Sequence, residues 1–191
     1  VTDEVYEYMT YDGRRHVSPA SLHHLRDRVI TIGAYSKTFA ITGWRIGYVV
    51  APREMAARLA DLADSIFVCP PAPLQQAVAE ALGILTDQYF TELRARYETK
   101  RNFFCDGLRK VGFRVAEPEG AYYALANFRD ISPQLTSAEF VDRMILRCRV
   151  GGVPSDDFVD DPSRHPWVRF CFALSETELE KALTMLEGLN S

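Results

Sequence analysis

The residues best suited to chemistry lie between two short apolar runs, Val29 to Ile32 and Ile46 to Val50. The intervening stretch reads Gly33-Ala34-Tyr35-Ser36-Lys37-Thr38-Phe39-Ala40-Ile41-Thr42-Gly43-Trp44-Arg45. Ser36 offers a hydroxyl, Lys37 an ammonium and Arg45 a planar fork of donors. If the apolar runs are strands, all three sit at strand ends, where α/β sheets keep their ligands. Two cations and a hydroxyl suit an anion, and a phosphate best matches an arginine fork with a hydroxyl donor beside it. A lysine in such a setting is also the kind of amine that enzymes use as a nucleophile toward carbonyls.

A phosphate and an aldehyde on one molecule describe pyridoxal phosphate. The run Ser36-Lys37-Thr38-Phe39-Ala40-x-Thr42-Gly43-Trp44-Arg45-x-Gly47-Tyr48 resembles the cofactor-lysine signature of the class I/II aminotransferases, the pyridoxal-phosphate enzymes of fold type I. The resemblance implies that Lys37 carries the cofactor as a Schiff base and acts as the catalytic acid and base. It implies further that Ser36 and Arg45 hold the phosphate. Asp3-Glu4-Val5-Tyr6 is similar to the family's Asp-x-x-Tyr motif. By that likeness Asp3 keeps the ring nitrogen protonated and Tyr6 donates to the ring's 3-oxygen. Ala34 stands where family members commonly have a second phosphate-binding serine.

Near the other end, Arg169 lies in Trp167-Val168-Arg169-Phe170-Cys171-Phe172-Ala173, with apolar neighbours on both sides. A guanidinium there is costly unless an anion pairs with it. An acid of the protein itself is one such anion. The substrate's α-carboxylate is the other, and the resemblance assigns Arg169 to it, so that the substrate's Cα–H lies near Lys37. Pro118-x-Gly120-Ala121-Tyr122-Tyr123 resembles the family's strand at the domain interface, where either tyrosine borders substrate or packs in the sheet. Gly152-Val153-Pro154-Ser155 resembles a loop usually written Pro-Gly-x-x-Phe, with Ser155 in place of the glycine.

The elements that must position these groups follow from periodicity. Val1 to Tyr6 reads as the end of a strand. Tyr11 to Arg28 reads as a connector punctuated by Asp12-Gly13 and Ser18-Pro19, with His16, His23 and His24 on the surface and Glu4 and Glu7 solvated. Helices are expected from Arg53 to about Ile66, with Met55, Leu59, Leu62 and Ile66 as its stripe, from Leu74 to about Leu85, and from Asp87 to Val111. Strands are expected at Phe113 to Ala116, Ala121 to Asn127, Val150 to Val153 and Trp167 to Leu174. Capping boxes at Thr136 to Glu139 and Ser175 to Glu178 open two more helices, the last reaching about Leu189.

The fold expected is α/β: the C-terminal part of a large cofactor-binding domain with a mostly parallel sheet, residues 1–111, then a small α+β domain, residues 112–191. Family members are about twice this length with the lysine motif near their middle, so the chain is read as a C-terminal half that binds pyridoxal phosphate weakly by itself. The 191 residues are 47% hydrophobic and 25% charged, with net charge −4, a balance without the basic footprint of nucleic-acid or anionic-membrane binding. Cys69, Cys105, Cys148 and Cys171 lack metal-ligand spacing, which favours reduced thiols and a cytoplasmic setting. The resemblance implies a homodimer acting on an L-amino acid and a 2-oxo acid, with no metal. A carbon-sulfur β-lyase and a non-catalytic cofactor-binding sensor are the competing functions.

Overall fold

The computed structural model describes residues 1–161 and 164–190, and the side chains of all of these except 157 and 190. The chain forms two compact units, one of residues Val1–Arg94 and one from Ala95 onward.

The first unit is built on a three-stranded sheet of β1 (Thr2–Asp3), β2 (Thr31–Ala34) and β3 (Gly47–Val50), in that order. β1 and β2 run parallel, whereas β2 and β3 are antiparallel. In place of the mostly parallel sheet expected from the sequence, the three strands present make one parallel and one antiparallel pair. β2 begins two residues later than the apolar run suggests, since ladder ends are set by partners rather than by hydrophobicity. Gly33, inside that ladder, faces Tyr48 across β3, and a Cβ at Gly33 would come within 2.2 Å of the Tyr48 ring. A short helix, α1 (Tyr35–Thr38), leaves the end of β2.

Two helices follow, α2 (Arg53–Phe67) and α3 (Ala72–Ile84). α3 starts earlier than expected because a proline in the first turn lacks only an N–H that would have no helical partner. The expected stripe of α2 is present but uncovered: no residue of the helix is buried, and Ile66 is 70% exposed. α4 (Asp87–Val111) has the bounds expected and contains the junction between the units. It stops at Gly112, whose φ of +114° is accessible to glycine and costly for other residues.

The second unit carries a four-stranded antiparallel sheet in the order β4 (Arg114–Ala116), β5 (Tyr123–Asn127), β7 (Trp167–Cys171), β6 (Val153–Pro154). β5 starts after Ala121, whose φ of +60° is incompatible with a strand. β6 lies further along than the expected Val150 to Val153, because Arg149 closes the preceding helix in a left-handed conformation. That helix, α5 (Ser137–Cys148), and α6 (Glu176–Leu186) each open with the reciprocal capping box read from the sequence. Val168, Phe170 and Phe172 join Phe104, Leu108, Phe113, Phe128, Phe140 and Met144 in a buried core. Its rings meet edge to face, Phe113 against Phe140 and Phe170, or stacked, Phe128 on Phe140 at 4.2 Å. Among the described residues no helix is long and apolar enough to cross a membrane.

Candidate active site

Topology gathers the chemistry of the first unit at one edge of its sheet. Because β1 and β2 are parallel, their C-terminal ends lie at the same edge; because β3 is antiparallel, it begins there. Asp3 ends β1, Tyr6 follows in the turn, Ser36 and Lys37 lie in α1 just after β2, and Arg45 precedes β3 by two residues. A crevice beyond the carboxyl ends of strands is where sheets of this class bind ligands.

Ser36 and Arg45 line one open cleft of about 700 Å³, together with Ala34, Gly47 and Tyr48. Ser36 is buried, and its carbonyl accepts from Ile41 N (3.1 Å) and Thr42 Oγ1 (3.3 Å), which closes the loop after α1. Arg45 is exposed and left-handed, φ 58° and ψ 40°, a conformation few non-glycine residues adopt. Its Nη1 donates to Thr42 O at 2.9 Å, and the guanidinium fork has further N–H groups for an oxyanion. Lys37 is half-buried beside Ser36, but neither it nor Asp3 nor Tyr6 is among the residues lining that cleft. Asp3 is exposed and its Oδ1 accepts from Val5 N at 3.3 Å, while Tyr6 is half-buried and its carbonyl accepts from Met9 N. A hydroxyl and an arginine in one cleft, a lysine next in sequence and a carboxylate at the same edge fit pyridoxal phosphate. Ala34, lining the same cleft, adds no hydroxyl to it.

The loop after β1 corrects the sequence reading. Glu4 is not solvated but 6% exposed. Thr2 Oγ1 (2.7 Å), Ser18 Oγ (2.9 Å) and Thr31 Oγ1 (3.4 Å) donate to its Oε1, and His16 Nε2 donates to Oε2 at 2.6 Å. Burial pushes the Glu4 carboxyl up, but these hydrogen bonds and the nearby His16 bring it below its ordinary value. His16, exposed as expected like His23 and His24, is thus also a partner of a buried acid. Glu7 is also engaged, accepting from Tyr48 OH at 3.1 Å. Burial, with the Glu7 charge and this hydrogen bond, drives the Tyr48 phenol upward. The signal for Glu4 and His16 was faint, an acid in a strand and a histidine twelve residues later in a loop.

In the second unit, alternation along β7 puts Val168 and Phe170 in the core and Arg169 on the other face. Arg169 Cζ lies 4.6 Å from the Tyr123 ring centre and 5.3 Å from that of Phe158. Among the described residues it forms no ion pair, and its buried Nε has no hydrogen-bond partner. The buried arginine of the same unit, Arg101, is instead paired with Glu98 and Glu117. Arg169 borders a cavity of about 410 Å³, with Leu125, Phe158, His165 and Trp167. Of the two tyrosines, Tyr122 is buried and stacks on Tyr97, while the Tyr123 ring lies against Arg169. Ser155, in place of the loop glycine, has φ −79° and ψ −14°, which any residue adopts. Its hydroxyl donates to His165 O and lies 3.2 Å from Ser137 Oγ, tying the Phe158 loop to α5.

Comparison with known proteins matches residues 1–186 to the family described as aminotransferase class I and II, whose members depend on pyridoxal phosphate. The chain is 35% identical over 188 residues to aromatic-amino-acid aminotransferase 2 of Thermococcus litoralis, covering 98% of this chain and 47% of that protein. It is 32% identical over 209 residues to kynurenine–oxoglutarate transaminase 3 of Rattus norvegicus, covering 100% and 46%. Among solved structures, N-succinyldiaminopimelate aminotransferase from Mycobacterium tuberculosis superposes with a TM-score of 0.92 at 31% identity, over 98% of this chain and 48% of that one. The chain spans about half the length of the curated relatives it matches. With the motif residues gathered at a sheet edge and the whole described chain sharing the relatives' α/β fold, the chain belongs to the aminotransferase class I and II family.

Proposed function

We propose that this chain carries the lysine-bearing part of a pyridoxal-phosphate-dependent aminotransferase, which moves an amino group between an L-amino acid and a 2-oxo acid. The observation that carries the reading is the single cleft shared by Ser36 and Arg45, with Lys37 next in sequence to Ser36. Ser36 and Arg45 hold the phosphate through a hydroxyl and an arginine fork. Asp3 sets its carboxylate beside the ring nitrogen, and Tyr6 donates to the ring's 3-oxygen. When bound, the cofactor supplies an electron sink for the electrons left on the substrate's Cα. Lys37 takes the proton from that carbon and delivers it elsewhere, as general base and then general acid. Arg169 binds the α-carboxylate with two parallel hydrogen bonds, a role supported by its buried Nε, which has no hydrogen-bond partner among the described residues.

In this reading residues 1–111 belong to the large cofactor-binding domain and 112–191 to a small C-terminal domain of a cytoplasmic homodimer. The test is incubation of the intact protein with amino acids and 2-oxoglutarate. New glutamate, reduced about 10²- to 10⁴-fold in Lys37→Ala, is expected. Pyruvate with ammonia would assign β-elimination instead, and neither product would leave a sensor.

A further inference from the structure

β1 is only two residues long, and it pairs with β2 only at Thr2↔Thr31 and Asp3↔Ile32. Two further backbone bonds extend the contact, Thr2 N to Ile30 O (2.9 Å) and Glu4 N to Ile32 O (2.8 Å). So short a ladder specifies its register weakly, and a slip by one residue would send every side chain to the opposite face. Asp3 sits at the end of this strand, where its carboxylate accepts from Val5 N at 3.3 Å. What fixes its direction must come from its neighbours.

Those neighbours are pinned. In a strand Thr2 and Glu4 share one face and Asp3 takes the other. Glu4 is held from both carboxylate oxygens, by hydroxyls from β1, β2 and the Ser18 turn on Oε1 and by His16 on Oε2. An ionised carboxylate only accepts, so Nε2 of His16 carries the proton. The 2.6 Å separation is that of a strong, charge-assisted bond. Glu4 thereby ties the strand end to β2 through Thr31 and to the connector through His16 and Ser18, and each tie holds the face opposite Asp3.

We propose that Glu4 and His16 form a positioning pair that fixes the register of β1 and so aims the Asp3 carboxylate out of the sheet edge toward the cofactor ring. This rests on the assignment of Asp3 to the ring nitrogen. Neither residue of the pair lines the cleft of Ser36 and Arg45. Supporting groups that orient a ligating residue commonly weaken binding when removed, by roughly tenfold or more.

The test uses the intact protein, titrated with pyridoxal phosphate while intrinsic fluorescence, the absorbance maximum of the bound cofactor and the thermal midpoint are recorded. Glu4→Gln keeps the shape and removes the charge; His16→Gln removes the partner; His23→Gln, at an exposed site, is the control. Both pair variants are expected to bind the cofactor roughly tenfold more weakly with a shifted absorbance maximum, and the control to match the parent. If Glu4→Gln does not fold, Ser18→Ala, which deletes a single hydroxyl, is expected to show a smaller weakening in the same direction. Variants that melt earlier but bind with the parent's affinity and spectrum would overturn the proposal, because the pair would then only stabilise the loop. A parent protein that binds no pyridoxal phosphate would overturn the functional reading itself, and the positioning role with it, before any variant is compared.

Discussion

The two units solve the same problem of holding chemistry in place with different materials. The second is organised by an apolar core, with Phe104, Phe170, Phe113, Phe140 and Phe128 linked in a chain of ring contacts, Phe172 fully buried and two helices capped at their starts. The first has few large buried apolar side chains, chiefly Met9, Tyr11, Ile46, Val78 and Leu93, and buries Glu4, Thr31, Ser36 and Thr38 among them. Its positions are set by directed hydrogen bonds: Glu4 to four donors, Glu7 to Tyr48, Tyr89 OH to Thr38 O at 2.7 Å. A packed core tolerates no loss of volume, while a polar network tolerates no loss of a partner. The unit with the lysine is therefore held by its partners, and the unit with Arg169 by its packing.

That contrast can be broken or sharpened by substitution. The largest effect is expected in the aromatic core: Phe140→Ala should cost about 3–5 kcal/mol in denaturant unfolding of the intact protein, and a cost under 1 kcal/mol would show the core to be slack. Arg169→Lys keeps the charge but loses the fork, so KM for the amino acid should rise roughly tenfold or more with the fold intact. An unchanged KM would remove Arg169 from the substrate site. Ser175→Ala should cost about 1 kcal/mol by deleting one cap.

The smallest effect is expected on α2, where Leu62→Ser should change stability by less than about 0.5 kcal/mol. A larger cost would reveal a cover over that helix in the intact protein. Acid should separate the polar unit from the apolar one. Glu4 is held below its ordinary value of 4.5, so its stabilisation is full above that pH and is lost as pH falls through the lowered value. Glu4→Gln is expected to flatten the acid limb of the thermal stability curve, and a parallel, unflattened limb would count against the network.

What was legible in the sequence followed from locality. The capping boxes, the proline-led α3 and the glycine stop of α4 are signals within a few residues, and their elements appear within about two residues of where they were expected. The lysine stretch was legible because its types and spacing lie in one segment, between strands that the apolar runs indicated to within two residues. Glu4 was misjudged, and its contact with the exposed His16 missed, because their meeting depends on where a long connector returns, which no local pattern encodes. Arg169 was expected among apolar neighbours on both faces, whereas alternation gave it an aromatic setting, since Tyr123 and Phe158 come from elsewhere in the chain. The Ser155 substitution was readable as a departure, but its harmless backbone angles and its bond to His165 O were not.

The two rings around Arg169 have a consequence for how a ligand is met. A free arginine side chain carries about 2 kcal/mol of rotamer entropy, which an arriving carboxylate would have to remove. Between Tyr123 and Phe158 much of that freedom is already gone before any ligand arrives. A carboxylate entering there meets a fork whose direction is set by the fold, so the ordering cost falls on protein folding and less of the binding energy is spent at the moment of encounter.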